Sequence, residues 1–276
     1  MPERLDLEAE YNNRARVPEH PALIEGWRRD AAAYRGIMPP VTIPYGPGER
    51  QRIDVFTPAN DSARATIMFI HGGYWQGLDR SFFSHLARGL NAHGVSVAVP
   101  SYDLCPDVGI ADIVEAMRTA CLELARFGRP VVAAGHSAGG HLAACLLATN
   151  WRAIGDEVPE HPVLAAYCMS GLFDLPPLVP TSVNRALGLD EVTASALSPV
   201  TWTPPADGHL TLDAVVGGDE STEYKRQSRE IVEAWRNRGV ETRYEEVAGA
   251  NHFTIVAPLA DPDSRMVARL AALARR

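Results

Sequence analysis

Val131-Val132-Ala133-Ala134-Gly135-His136-Ser137-Ala138-Gly139-Gly140 is the stretch from which the rest of the chain can be read. Its first four apolar residues predict a buried strand, and the apolar run from Leu142 to Ala148 predicts a helix. Between them Gly135, Ser137 and Gly139 mark a sharp turn. A serine caught between a strand end and a helix start sits in tight, strained backbone. Glycines flank it because a Cβ there would collide with the neighbouring strand and helix. Such a turn lifts the Ser137 hydroxyl above the carboxyl edge of a sheet. It then faces a helix N-terminus, whose dipole favours developing negative charge. A glycine-rich turn closing an ordinary strand–helix unit has the same spacing, so the flanking sequence has to discriminate.

Outward from this stretch, strand and helix patterns alternate. Residues 65–70, 95–99, 163–169, 210–216 and 242–247 read as strands; 82–92, 110–127, 224–238 and 266–274 read as helices. Residues 41–43 and 52–56, joined through Gly46-Pro47-Gly48, read as an antiparallel hairpin. Alternation at this spacing implies right-handed βαβ units and an α/β fold, with a mostly parallel central sheet and helices on both faces. Two segments depart from the rhythm. Residues 1–40 read as a charged, helical N-terminal arm that packs across the sheet or over its mouth. Residues 172–207, dense in proline, read as a short lid or cap insertion too small to bury a core of its own. The expectation is one domain spanning 1–276.

Composition narrows the function. The chain has 276 residues, 46% hydrophobic and 22% charged, with net charge −8, as expected of a globular protein able to bury a sizeable core. Without a Lys/Arg cluster, nucleic acid and anionic membranes are unexpected partners. No run approaches the roughly 20 apolar residues of a membrane span, and the N-terminus lacks a signal-peptide pattern. Cys105, Cys121, Cys145 and Cys168 form no C-x-x-C pair; buried, reduced thiols in a cytoplasmic protein are expected. A homodimer is compatible with the sequence, which does not specify an oligomeric state.

Ser137, Asp219 and His252 follow in that order, each just past a predicted strand. A serine hydroxyl needs a base, and the base an orienting acid. Ser137 is expected to attack a carbonyl carbon, His252 to relay the proton, and Asp219 to fix the imidazole tautomer. Asp213 lies inside a strand and is poorly placed for this, whereas the adjacent Glu220 stays open as the acid. The backbone N–H groups of Ala138 and of Gly72 or Gly73 suit an oxyanion hole. His71 is expected to brace that loop. Tyr74 and Trp75 read equally as core aromatics or as a flat wall for an aromatic group. His136 and His141 read as structural or pocket-lining; neither has a carboxylate or cysteine at metal-ligand spacing, so no metal and no cofactor are expected.

Together these residues resemble the α/β-hydrolase superfamily, and within it the kynurenine formamidase (arylformamidase) group and its bacterial esterase-like relatives. The resemblance rests on His71-Gly72-Gly73-Tyr74-Trp75, Gly135-His136-Ser137-Ala138-Gly139-Gly140-His141, Gly218-Asp219-Glu220-Ser221 with Arg226-Gln227-Ser228, and Asn251-His252-Phe253. Tyr11-Asn12-Asn13-Arg14 and Tyr102-Asp103-Leu104-Cys105-Pro106 extend it to nearly the whole chain. It implies metal-free hydrolysis of N-formyl-L-kynurenine to L-kynurenine and formate. Many relatives with these motifs are general short-chain carboxylesterases, and Tyr74 at the variable motif position does not discriminate. The expected activity is thus a serine hydrolase of a small-molecule carboxylic ester or aryl formamide, acting through an acyl-enzyme. A non-catalytic binding protein on this scaffold and a metal-dependent amide hydrolase are the readings from other classes.

Overall fold

A computed structural model describes residues 5–155, 157–205 and 209–276. Its strands are β1 (Val41–Pro44), β2 (Arg52–Phe56), β3 (Thr66–Ile70), β4 (Val97–Pro100), β5 (Val131–His136), β6 (Val163–Met169), β7 (Thr211–Gly217) and β8 (Glu241–Val247). They form one sheet in the order β1-β2-β4-β3-β5-β6-β7-β8. β1 and β2 are antiparallel, with Val41 opposite Val55, and β2 is antiparallel to β4. All pairings from β4 through β8 are parallel.

The helices are α1 (Leu7–Tyr11), α2 (Asn13–Arg16), α3 (His20–Ile37), α4 (Ala87–Ala92), α5 (Ile110–Ala125), α6 (Ala138–Leu147), α7 (Asn184–Leu187), α8 (Glu191–Ala196), α9 (Thr222–Arg236) and α10 (Arg265–Leu273). α5, α6 and α9 cover one face of the sheet; α3, α4 and α10 cover the other. The two-residue period of β3 sorts its side chains accordingly. Met68 and Ile70 enter the first core, Ile67 and Phe69 the second. Every residue of β5 is buried, as a central parallel strand requires. Each large side chain held this way contributes on the order of 2 kcal/mol from apolar burial.

The segment expected as a helix over 82–92 is shorter. Two 3₁₀ turns, Arg80–Phe82 and Ser84–Leu86, precede α4. They turn the Phe83 ring inward, 5.4 Å from Trp27, 5.6 Å from Phe69 and 6.0 Å from His71 between centroids. The 172–205 segment carries two 3₁₀ turns with α7 and α8, consistent with its prolines.

The arm is bonded to the body at several points. Arg35 on α3 donates to the buried Asp54 carboxylate on β2 at 2.5 Å, where Thr42 donates at 2.5 Å and Arg80 lies at 3.2 Å. Glu8 accepts from the amide and hydroxyl of Ser182, both at 2.7 Å. Glu10 accepts from the Thr222 hydroxyl at 2.7 Å and the Glu223 amide at 2.9 Å, capping the N-terminus of α9.

Candidate active site

The β5–α6 turn has the geometry expected from its glycines. Ser137 adopts φ 57° and ψ −120°. A Cβ on Gly135 would lie 2.0 Å from the Gly139 carbonyl oxygen, and one on Gly139 would lie 2.0 Å from that of Ile70. Side chains at these positions would drive strand and helix apart, so the sharp turn exists only with glycine there. Among the described residues, the other non-glycine positions with positive φ are Tyr74 (52°), Trp75 (56°), Leu78 (68°) and Ser170 (51°). All four sit on the loops around Ser137, where strain concentrates in sites that hold groups rigidly.

His252 follows β8 in a turn built by Asn251, whose side-chain oxygen accepts from the amides of Phe253 at 2.9 Å and Thr254 at 3.0 Å. The ends of β7 and β8 press together, such that a Cβ on Gly217 would meet the Ala250 carbonyl oxygen at 2.3 Å. This contact brings the β7 turn under the imidazole. His252 Nδ1 donates to Glu220 Oε2 at 2.7 Å. In the neutral ring this tautomer leaves Nε2 as the acceptor, the arrangement a general base uses.

The carboxylate on His252 thus belongs to Glu220 and not to Asp219, which corrects the expectation. The turn donates the Asp219 amide to the Ala250 carbonyl at 3.0 Å and leaves the Asp219 side chain in solvent. One residue on, Glu220 points inward and is buried. Its Oε1 accepts from the Gly217 amide at 2.7 Å and from the Ser170 hydroxyl at 2.5 Å. Both oxygens are satisfied, and the longer side chain spans the extra distance to the ring. Asp213, inside β7, is bound by Arg269 at 2.6 and 2.9 Å.

Ser137, His136 and His252 line a cavity of about 560 Å³. Gly73 and Tyr74 lie on its wall, whereas Trp75 does not. Trp75 is fully buried, edge-on to His141 with centroids 5.1 Å apart, and so is core; its tentative place in substrate binding is corrected. Gly72 backs onto the serine: a Cβ there would sit 3.0 Å from that of Ser137. His136 donates from Nε2 to the His252 carbonyl at 2.8 Å, and burial holds it neutral, well below the usual histidine range. His71 is stacked on Tyr102 at 4.3 Å and donates from Nδ1 to the Gly72 carbonyl at 2.8 Å. Burial lowers its pKa to about 4, so it braces the loop as a neutral ring.

Sequence reasoning did not anticipate a cluster of hydroxyls beside the serine. The Tyr74 hydroxyl donates to the Tyr11 carbonyl at 2.6 Å, which can only accept. Tyr74 oxygen, 2.7 Å from that of Tyr224, must then accept the Tyr224 proton. Tyr224 oxygen in turn accepts from Asn13 Nδ2 at 2.8 Å and interacts with the Ser137 hydroxyl. Its ring lies 4.7 Å from that of His252. Tyr11 donates to Glu223 at 2.7 Å and accepts from Gln227 at 2.6 Å. These residues are about 60 to more than 200 positions apart in the chain. Only the polar-aromatic run at 11–14 hinted at them.

A strained serine after a central strand, sharing a cavity with an imidazole whose Nδ1 is held by a carboxylate, on a mostly parallel eight-stranded sheet, describes a hydrolase. The profile of the Alpha/beta hydrolase family matches residues 67–276, and the chain belongs to that family. It is 30% identical over 250 residues to a kynurenine formamidase of Salmo salar, covering 88% of this chain and 83% of that protein. It is 32% identical to a kynurenine formamidase of Drosophila melanogaster, covering 80% and 76%. A crystal structure of a candidate thioesterase from Silicibacter sp. TM1040 superposes with TM-score 0.83 at 34% identity, over 96% of this chain and 98% of that one. The protein is a hydrolase of ester or formamide bonds.

Proposed function

We propose that Ser137 is the nucleophile, His252 the general base and Glu220 the orienting acid of an acyl-enzyme mechanism. The observation that carries this reading is the 2.7 Å contact from Glu220 to His252 Nδ1, on the wall that also presents Ser137. Ser137 forms a bond to the acyl carbon as His252 Nε2 takes its proton. The amides of Ala138 and of Gly72 or Gly73 stabilise the oxyanion. Collapse expels the leaving amine or alkoxide, which takes the proton from His252; water then repeats the cycle and frees the acid. Glu220 steadies the imidazolium in both halves.

The substrate we propose is an aryl formamide or short-chain ester. The named formamidase relatives support the formamide, and a cavity lined by Trp27, Tyr74 and Phe253 suits a flat leaving group. Four buried free thiols fit a reducing compartment such as the cytoplasm.

The test is a panel of N-formylkynurenine, p-nitrophenyl acetate and p-nitrophenyl butyrate, run beside Ser137→Ala. Turnover is expected for formylkynurenine and acetate and is lost in the variant. A marked preference for butyrate over the shorter acyl groups would refute the formamide reading. Full activity in Ser137→Ala would refute the mechanism.

A further inference from the structure

The N-terminal arm reaches the nucleophile by a route that the proposed proton relay does not use. Asn13, the first residue of α2, is buried, and its Nδ2 lies 2.8 Å from the Tyr224 oxygen and 3.5 Å from the Tyr74 oxygen. It is held there from both sides. Asn12 caps α2 by accepting from the Ala15 amide at 3.1 Å, and the Tyr11 hydroxyl is bound by Glu223 at 2.7 Å and Gln227 at 2.6 Å. One amide nitrogen thus stands between two phenols, with two protons to give.

The direction of the hydroxyl chain gives that position a consequence. The Tyr74 proton goes to the Tyr11 carbonyl at 2.6 Å, and the Tyr224 proton goes to Tyr74 at 2.7 Å. With its own proton committed, the Tyr224 oxygen can meet the Ser137 hydroxyl only as an acceptor. That polarity suits the resting serine and opposes the reaction. Once His252 has taken the serine proton, the Ser137 oxygen has none to give, and two lone pairs would face each other across a buried contact. Rotation of the Tyr224 hydroxyl proton from Tyr74 to the Ser137 oxygen removes the conflict. It leaves the Tyr74 oxygen without its donor, and the second N–H of Asn13 is within reach to replace it.

We propose that Asn13 is a positioning residue for the hydrolytic reaction: its amide lets Tyr224 switch from accepting the Ser137 proton to donating its own to the Ser137 oxygen as the serine attacks. This rests on the serine mechanism above. No covalent bond is made or broken in the switch, which turns one proton about the Tyr224 C–O bond. The arm is by this account part of the reaction centre and not only its cover.

The test is kcat and KM on p-nitrophenyl acetate at pH 8 for Asn13→Asp and Asn13→Ala, each alone and combined with Tyr224→Phe, with folding followed by circular dichroism. Asn13→Asp keeps the shape but replaces the donors with an acceptor, which pins the Tyr224 proton away from the serine. Its kcat is expected to fall about tenfold or more, with KM within about threefold. Asn13→Ala leaves room for a water to donate in the amide's place, and a loss of only about threefold is expected. A packing role predicts the reverse order, since alanine leaves the larger void. In the Tyr224→Phe background neither change is expected to lower kcat further, because the group it acts through is gone. A greater loss in Asn13→Ala than in Asn13→Asp, or losses that add in full to that of Tyr224→Phe, would overturn the proposal. If Asn13→Asp does not fold, Asn13→Leu, of similar size and without donors, takes its place with the same expected losses. Turnover undiminished in Ser137→Ala overturns the serine mechanism and this proposal with it. Turnover that depends on Ser137 but keeps its wild-type kcat in the Asn13 variants overturns this proposal alone.

Discussion

At the scale of the residue, the choice between two adjacent carboxylates is a matter of direction. Asp219 faces solvent, while Glu220 is buried with each oxygen engaged. Glu220→Gln keeps the shape but removes the charge that steadies the imidazolium. A fall of about 10³–10⁴ in kcat is expected, the scale seen when such an acid is neutralised elsewhere. Asp219→Asn should leave kcat within about twofold, since surface substitutions away from the chemistry cost little. A larger loss in the Asp219 variant than in the Glu220 variant would reverse the assignment. Tyr224→Phe removes the oxygen shared by Asn13, Tyr74 and Ser137. Losing one such bond is worth about 1–1.5 kcal/mol, so kcat should drop on the order of tenfold with the fold intact by circular dichroism. In the sequence both carboxylates were visible as candidates. Their orientation was not, because one residue of turn geometry reverses which side chain faces in.

At the scale of the element, the β5–α6 turn and the N-terminal arm behave differently. Gly139→Ala would place a Cβ 2.0 Å from a backbone oxygen of β3. No rotamer relieves that clash, and soluble, folded protein is expected to be lost; a stable, active variant would contradict the geometry. The arm is held by polar contacts, and its removal should be graded. Glu10→Ala removes the second acceptor at the N-terminus of α9, where Ser221 remains as N-cap, and releases one anchor of the arm, at about 1 kcal/mol. A lower urea midpoint and faster proteolysis near residues 8–16 would register it; an unchanged midpoint with an unchanged cleavage rate would mean the cap contributes nothing. The strands and most helices were legible because apolar periodicity reports them locally. The helix expected over 82–92 was shortened by the inward turn of Phe83, a packing effect without local signature.

At the scale of the whole molecule, two facing cores bury titratable rings that the chemistry does not use. Burial lowers His71 and His141 to about 4, against an unfolded value near 6.5. Between those values the unfolded chain binds protons that the folded protein refuses. Their contribution is complete above about pH 6.5 and is lost as pH falls toward 4, at up to about 1.4 kcal/mol per pH unit for each ring. Urea midpoints at pH 7.5, 6 and 5 should decline in that order, and His141→Asn should flatten the decline. A midpoint that rises on acidification would contradict the neutral buried rings.

Periodicity, glycine placement and the order Ser137, acid, His252 were sufficient for the sheet, the strained turn and the class of chemistry, because each is written in neighbouring residues. Which carboxylate meets the imidazole, that Trp75 is core, and that Asn13, Tyr74 and Tyr224 share one hydrogen-bonded cluster came only from the folded chain. Those facts depend on side-chain direction and on contacts between segments more than two hundred residues apart. No local pattern encodes them, since they arise when the sheet brings its loop ends together and the arm closes over them.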